Sequence, residues 1–146
     1  MNKTDLIGTW DLQRFWFTDD DGIEADPLGA DAVGNLVLGG DGHYAFTMMR
    51  PDRTPYESGD LLGGTDAEKG EAADGYVSFG GTWSFDGEAI TFGIVYSLFP
   101  NWIGGNQKRL ASMVDGELVL QTTGPILMDG KVHRGAARWQ KLSSNA

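Results

Sequence analysis

The sequence contains no cysteine, only two histidines and few basic residues. The lack of cysteine excludes disulfide bonds, thiolate catalysis and cysteine-based metal sites. Lys and Arg number 11 against 21 Asp and Glu, giving a net charge of -10, and this balance argues against nucleic acid or an anionic membrane as a partner. No hydrophobic run approaches the length of a transmembrane helix, and the N-terminus lacks the apolar stretch of a signal peptide, so we expect a cytoplasmic protein.

Glycine is abundant: 22 of the 146 residues, against five prolines and with no fixed period. Such a composition predicts many tight turns rather than a collagen-like chain or a linker. Hydrophobic residues make up 40% of the chain, enough for a substantial core. With no internal repeat or boundary in view, we expect a single domain over residues 1–146, with residues 143–146 as a frayed tail.

Five Asp-Gly dipeptides punctuate the chain and lie between strand-like segments, where their preference for positive φ angles favours hairpin turns. The dipeptides begin at residues 21, 41, 86, 115 and 129. The segments between them predict strands near residues 8–18, 34–38, 43–50, 81–85, 88–97, 107–114, 117–123 and 133–142. Eight antiparallel strands are enough to close an up-and-down barrel that holds one small ligand.

The segment 51–74 departs from this meander. Residues 51–64 form a long polar loop, and the spacing of Thr65 and Glu68 is typical of a capping box, so we predict a short helix over 66–74. The loop and helix either cover one mouth of the barrel as a lid or pack on its side as a connector.

The order of motifs resembles the lipocalin (calycin) pattern, in which a Gly-x-Trp on the first strand packs beneath a basic side chain from the last. Gly8-Thr9-Trp10 and Arg138 carry this resemblance. Further segments resemble a bacterial and fungal family of lipocalin-like domain proteins, and the resemblance covers nearly the whole chain. They are Met49 to Arg53, Ser58 to Asp60, Gly75-Tyr76, Ser97-Leu98-Phe99-Pro100-Asn101-Trp102, and Gln107 with Arg109.

The resemblance implies an all-β barrel with one short helix and brings no cofactor or shared reaction with it. Some members of the family lie near natural-product or catabolic genes, which implies secondary metabolism. Many members carry histidine shortly before the Ser-Leu-Phe-Pro-Asn-Trp run, where this chain has Phe92 and Gly93. No role of those histidines is carried over here.

Motifs for cofactors and metals are missing. His43 and His133 lie far apart without a cysteine partner, and the glycine-rich stretches lack the Lys-Ser/Thr signature of a phosphate loop. We therefore expect no metal and no cofactor.

Polar side chains on the predicted inner faces are the catalytic candidates. An arginine or tyrosine in an apolar cavity holds a carbonyl or enolate oxygen, and a histidine moves a proton. The candidates are His43, Arg14, Tyr96 and Arg109. Arg14 is expected to point into the lumen because it shares strand parity with Trp10. Structural alternatives stay open: His43 on the rim and Arg109 paired outside.

Candidate ligand-binding residues are mostly aromatic and lie on the same faces or at a strand end. They are Trp16, Thr47, Met49, Tyr76, Phe92, Phe99, Asn101, Trp102 and Gln107. The rigid Phe99-Pro100-Asn101-Trp102 turn is expected to display its two aromatics at the barrel mouth, with Asn101 supplying a hydrogen bond. The aromatics could equally fill the barrel or form a corner, and Tyr76 could cap the core.

Two functions from different classes remain open on the sequence. The barrel binds a small hydrophobic or aromatic metabolite, either with cofactor-independent isomerase, cyclase or lyase chemistry or as a non-catalytic carrier. A third option is an accessory protein with a filled barrel, for which a homodimer is one arrangement. A cavity with convergent polar groups and a perturbed histidine would favour the enzyme, and a cavity lined by apolar groups alone would favour the carrier.

Overall fold

Eight antiparallel strands close into a barrel in the computed structural model, which describes residues 1–142. They are β1 (Gly8–Asp19), β3 (Val33–Leu38), β4 (His43–Met49), β5 (Tyr76–Phe85), β6 (Ala89–Ser97), β7 (Asn106–Val114), β8 (Glu117–Thr122) and β10 (Lys131–Lys141). Neighbours in the sequence pair in order, and pairing of β1 with β10 closes the sheet. The predicted up-and-down barrel is confirmed, whereas the expected frayed tail at 143–146 lies outside the described residues.

Two short strands extend the barrel wall: β2 (Glu24–Ala25) beside β1, and β9 (Ile126–Met128) beside β10. All five Asp-Gly dipeptides lie at connections between consecutive strands, as predicted. Asp115-Gly116 and Asp129-Gly130 have positive φ at both residues, the geometry of a two-residue hairpin turn. Strand β9 was not predicted, because only three residues lie between Gly124-Pro125 and Asp129-Gly130, the turn signals on either side of it.

Strand β5 is longer than predicted because it runs through Gly80 and Gly81, which look like a break in the sequence. The pairing of β5 with β6 shifts register opposite these two glycines, because β6 carries one extra residue there, Val95, which forms a β-bulge in β6. A Cβ at residue 81 would overlap the carbonyl oxygen of Gly93. The close approach of the two backbones therefore requires glycine at this position.

One end of the barrel is closed by a four-residue helix, α1 (Lys3–Leu6), which packs below Trp10. Leu6 is fully buried, and its carbonyl oxygen accepts a 2.9 Å hydrogen bond from the Trp10 indole N–H. The last strand supplies Lys141, whose Nζ lies 5.5 Å from the centroid of the Trp10 ring. The expectation that Arg138 covers this tryptophan is wrong, because Arg138 pairs with Glu117 instead.

The second helix, α2 (Asp66–Asp74), has the predicted bounds and the predicted capping box. The Thr65 hydroxyl accepts from the Glu68 N–H at 3.1 Å, and the Glu68 carboxylate accepts from the Thr65 N–H at 2.9 Å. At the other end, the Arg53 guanidinium donates to the carbonyls of Ala72 and Gly75. Both ends of the helix are satisfied by side chains, although none of its residues is buried.

Replacing Thr65 with alanine is expected to destabilise α2 locally by about 1 kcal/mol, because one backbone N–H loses its cap. The helix buries no residue, so the barrel should be unaffected. Hydrogen exchange should show faster exchange of amides in residues 66–74 and unchanged protection in β4 and β5. Thr54→Ala in the preceding loop is the matched control, and faster exchange throughout the barrel would contradict this prediction.

Candidate functional site

An open-ended cavity of about 750 Å³ occupies the half of the barrel opposite α1. Its walls are largely apolar and come from most of the barrel strands. They include Phe15, Phe17, Leu28, Phe46, Met48, Val77, Phe79, Leu120, Ile126, Met128 and Ala137. The barrel is therefore not filled by its own side chains, and the volume is in the range of small-molecule sites, roughly 300–1,000 Å³.

The floor of the cavity is a packed group of aromatic rings. Phe46 and Phe79 stack with centroids 4.5 Å apart, and Phe92 lies edge-on to Phe46 at 5.9 Å. The Tyr44 ring completes the group and donates its hydroxyl to the carbonyl oxygen of Gly93 at 3.0 Å. Burial raises the pKa of Tyr44, so the phenol stays neutral. This floor offers ring faces and edges but no free polar group.

A polar patch interrupts the apolar wall on β7 and β8, where Arg109 faces Thr122 directly across the two strands. Arg109 is only 8% exposed, and its Nη1 donates to the Gln107 amide oxygen at 2.7 Å. Burial lowers the pKa of Arg109 to about 10. Among residues 1–142, no carboxylate lies within ion-pair distance of this guanidinium.

The mouth of the cavity is shaped by three connections between strands. The turn after β6 contains a 3-10 helix (Pro100–Trp102), and Trp102 packs edge-on to Phe79 at 5.4 Å and to Phe99 at 5.4 Å. The other two connections contribute Pro27 with Leu28, and residues 123–125 leading into β9. Aromatic side chains therefore form part of the rim of the cavity.

The family model of the lipocalin-like domain matches residues 7–142. The chain belongs to this family. Its barrel is also similar in sequence to a 4'-hydroxy-3'-methoxypropiophenone carrier protein of Aspergillus oryzae, with 30% identity over 103 residues, covering 65% of this chain and 93% of the relative. A search of the solved structures gives no match. Among residues 1–142, no helix has the length and apolar character needed to cross a membrane.

The lipocalin-like cavity brings five of the sequence-predicted site residues together. Arg109 and Gln107 lie on its polar wall, and Phe99, Asn101 and Trp102 lie at its mouth. Their roles toward a ligand stay a prediction. Phe92 lies just beneath, fully buried in the aromatic floor.

Arg14 and Trp16 lie on the outside of the lipocalin-like barrel, contrary to the expected inward direction. The pairing of β1 with β10 shifts register between Leu12 and Arg14, so a bulge reverses the faces of the strand. Arg14 donates to Glu24 and Asp26, both at 3.2 Å, and its guanidinium lies 4.6 Å from the Trp16 ring centroid. Phe15 and Phe17 take the inner positions instead.

Three predicted residues of β4 share the outer face of that strand: His43, Thr47 and Met49. His43 is exposed beside Asp41, with 3.5 Å between its Nδ1 and the carboxylate, which places it on the rim of the closed end. The inner face belongs to Tyr44, Phe46 and Met48, as the alternation of β4 requires.

Tyr96 is also on the outside, because the bulge in β6 reverses the strand beyond Ile94. Its ring covers Gly80, where an added Cβ would overlap the tyrosine ring. The Arg53 guanidinium lies over the Tyr76 ring, 5.1 Å from the ring centroid. Tyr76 lines a neighbouring pocket of about 390 Å³ rather than the main cavity. That pocket shares Phe99 and Trp102 with the mouth.

No residue of the loop 51–64 lines the cavity. Within the segment 51–74 of the described chain, Asp74 alone contributes to the lining. The connector alternative therefore describes this segment better than the lid.

Sequence reasoning missed the residues whose inward direction depends on bulges or small side chains. Phe15 and Phe17 were not predicted to face inward, because the β1 bulge reverses the alternation of the strand. Thr122 and Gly135 also line the cavity, but neither lies in a motif that indicates a binding site. Gly135 admits the Phe17 ring, since an added Cβ would lie 2.7 Å from it. His133 is buried on the inner face near Phe17, with its Nδ1 2.9 Å from the Lys131 carbonyl, and does not line the cavity.

Proposed function

We propose that this lipocalin-like protein is a carrier that encloses a small aromatic metabolite and releases it chemically unchanged. The cavity of about 750 Å³, lined by aromatic rings and open at one end, carries the proposal. A molecule with one aromatic ring and short substituents fits such a volume and stacks on the rings of its wall.

The name of the Aspergillus oryzae relative supports the ligand class. That protein is named as the carrier of a propiophenone that bears a hydroxyl and a methoxy group, which is a compact aromatic ketone. We extend this class to the present chain: an oxygen-substituted aromatic metabolite whose ring lies among Phe15, Phe46 and Phe79. Arg109 and Gln107 are then the groups that orient its oxygen atoms.

The carrier is favoured over the enzyme because the carboxylate and the amine among the lining residues, Asp74 and Lys108, are exposed, and the buried part of the wall holds no acid–base group. His43 and Tyr96 lie on the outer surface, and His133 does not reach the lining. The polar wall holds an arginine, an amide and a hydroxyl, which bind oxygen atoms but do not exchange protons readily near neutral pH.

Filling the cavity is expected to abolish binding. Ala137 is 5% exposed on the inner face of β10, and Ala137→Phe would place a ring in the space that the ligand needs. Binding is followed by the fluorescence of N-phenylnaphthylamine, a neutral aromatic probe, and by its displacement with 4'-hydroxy-3'-methoxypropiophenone. We expect the wild type to bind one probe per chain. The variant should bind at least about tenfold more weakly, which corresponds to a loss of about 1.4 kcal/mol of binding free energy or more.

Ala45→Phe is the matched control, because Ala45 lies on the outer face of β4 and is exposed. This variant should bind the probe as the wild type does. Unchanged binding in Ala137→Phe would place the probe outside the barrel and contradict the proposal. Prolonged incubation followed by mass spectrometry distinguishes the two functions: recovery of the propiophenone intact supports a carrier, and a new product supports an enzyme.

A further inference from the structure

Arg109 combines two properties: it forms no ion pair with a carboxylate of the described chain, and it is almost completely buried. The other arginines that form hydrogen bonds or ion pairs in the described chain lack this combination. Arg14 and Arg138 lie on the outer face and pair with carboxylates. Arg50 and Arg53 are bound to backbone carbonyls near the barrel rim. A guanidinium carries five N–H donors, and in Arg109 the one hydrogen bond formed is to Gln107. Its remaining donors have no partner among the described residues, and the side chain lines the cavity.

The side chains next to Arg109 offer further hydrogen-bond donors. Gln107 uses its amide oxygen to accept from Arg109, which leaves its NH₂ group available. The Thr122 hydroxyl oxygen accepts from the Gly135 N–H at 3.0 Å, which leaves the hydroxyl hydrogen available. Tyr44, the nearest phenol on the floor, is already committed to the Gly93 carbonyl. Three residues that line this wall therefore have N–H or O–H groups without a partner among the described residues.

A wall with several free donors around a buried positive charge matches an acceptor that carries negative charge. Carboxylates and ionised phenols accept hydrogen bonds without donating any, and a guanidinium binds a carboxylate through two parallel hydrogen bonds. The charged residues that line the cavity besides Arg109 are Asp74 and Lys108, and both are exposed. The Lys108 ammonium lies 3.9 Å from the Asp86 carboxylate, and Asp74 makes no ion pair with Arg109 among the described residues. No carboxylate in the described lining therefore competes with a ligand for the buried guanidinium.

We propose that Arg109, with Gln107 and Thr122, forms an anion-binding subsite inside the barrel, so that the ligand is an aromatic molecule with one ionised oxygen group, a carboxylate or a phenolate. The inference rests on the proposed carrier function and adds the charge state of the cargo. The ring lies on the aromatic floor and the anionic group reaches the polar wall. An interior that holds a positive charge thus selects anions in a protein whose net charge is -10.

Two fluorescent probes that differ by one charged group test this subsite. N-phenylnaphthylamine is neutral, and anilinonaphthalene sulfonate is the same molecule with an added sulfonate. In Arg109→Met we expect affinity for the sulfonate to fall by roughly 10- to 100-fold, the value of a charge-assisted hydrogen bond, and affinity for the neutral probe to change less than about threefold. Arg109→Lys keeps the charge without the planar fork and should lose an intermediate part of the sulfonate affinity.

Arg134→Met is the matched control, because Arg134 is exposed on β10 and its removal changes net charge equally. It should leave both affinities unchanged. If Arg109→Met weakens both probes equally, Arg109 only shapes the cavity and the anion subsite is wrong. The anion subsite is also wrong if Arg109→Met leaves the affinity for both probes unchanged. If the wild type binds neither probe, the carrier function itself fails, and the subsite falls with it.

Discussion

Replacing Trp10 with alanine is expected to lower the free energy of unfolding by about 3–5 kcal/mol, the usual cost of removing a large aromatic side chain from a packed core. The indole is 2% exposed at the closed end of the barrel. Its N–H donates to the Leu6 carbonyl at 2.9 Å, so the substitution leaves both a cavity and an unpaired carbonyl. Urea unfolding followed by circular dichroism measures the change.

Trp16→Ala is the matched control on the same strand. Trp16 lies on the outer face beyond the β1 bulge and contacts the Arg14 guanidinium at 4.6 Å. Its removal should cost only about 1 kcal/mol, typical of a partly exposed cation–π contact. Equal losses in the two variants would mean that both tryptophans face the interior, and the reversal of faces at the bulge would then be wrong.

Replacing Arg109 with methionine is expected to raise the free energy of unfolding of the empty protein by about 1–3 kcal/mol, because a buried charge without a counter-ion is costly. Burial lowers the pKa of Arg109 from 12.5 to about 10. The unfolded chain thus holds this proton more tightly than the folded one, and the charge opposes folding at neutral pH. That penalty would be relieved only as the pH rises through about 10. For a chain of this size the melting temperature should rise by roughly 2–4 °C per kcal/mol.

Differential scanning calorimetry of the ligand-free protein measures this gain, with Arg134→Met expected to change stability by less than about 0.5 kcal/mol. A loss of stability in Arg109→Met would show that its hydrogen bond to Gln107 contributes more than the buried charge costs. A gain in stability together with weaker sulfonate binding would mean that the protein accepts an unfavourable charge for the sake of its ligand.

Much of the barrel could be predicted because its signals are local. Asp-Gly dipeptides mark five of the connections between strands, and the Thr65–Glu68 capping box marks the start of α2. The positions of Gln107, Arg109 and Trp102 in the cavity lining also follow from simple alternation or from a strand end. In these segments nothing interrupts the period of two residues that decides which side chains face inward.

The errors in the candidate site come from interruptions of that period. One extra residue near Gln13 turns Arg14 and Trp16 outward, and one near Val95 does the same to Tyr96. A bulge is defined by the hydrogen bonds of two paired strands, and the sequence of one strand does not contain that information. The basic side chain over Trp10 shows the same limit, since Lys141 rather than Arg138 reaches the ring.

The sequence by itself determined the eight barrel strands, five hairpin turns, the short helix and the aromatic character of the interior, because these depend on neighbours within a few residues. Only the tertiary structure decided that the barrel is hollow and that Arg109 is buried in it without a carboxylate. A cavity is the space left when distant strands have packed, and a missing counter-ion depends on every carboxylate in the fold. Neither can be assigned to any one segment of the chain.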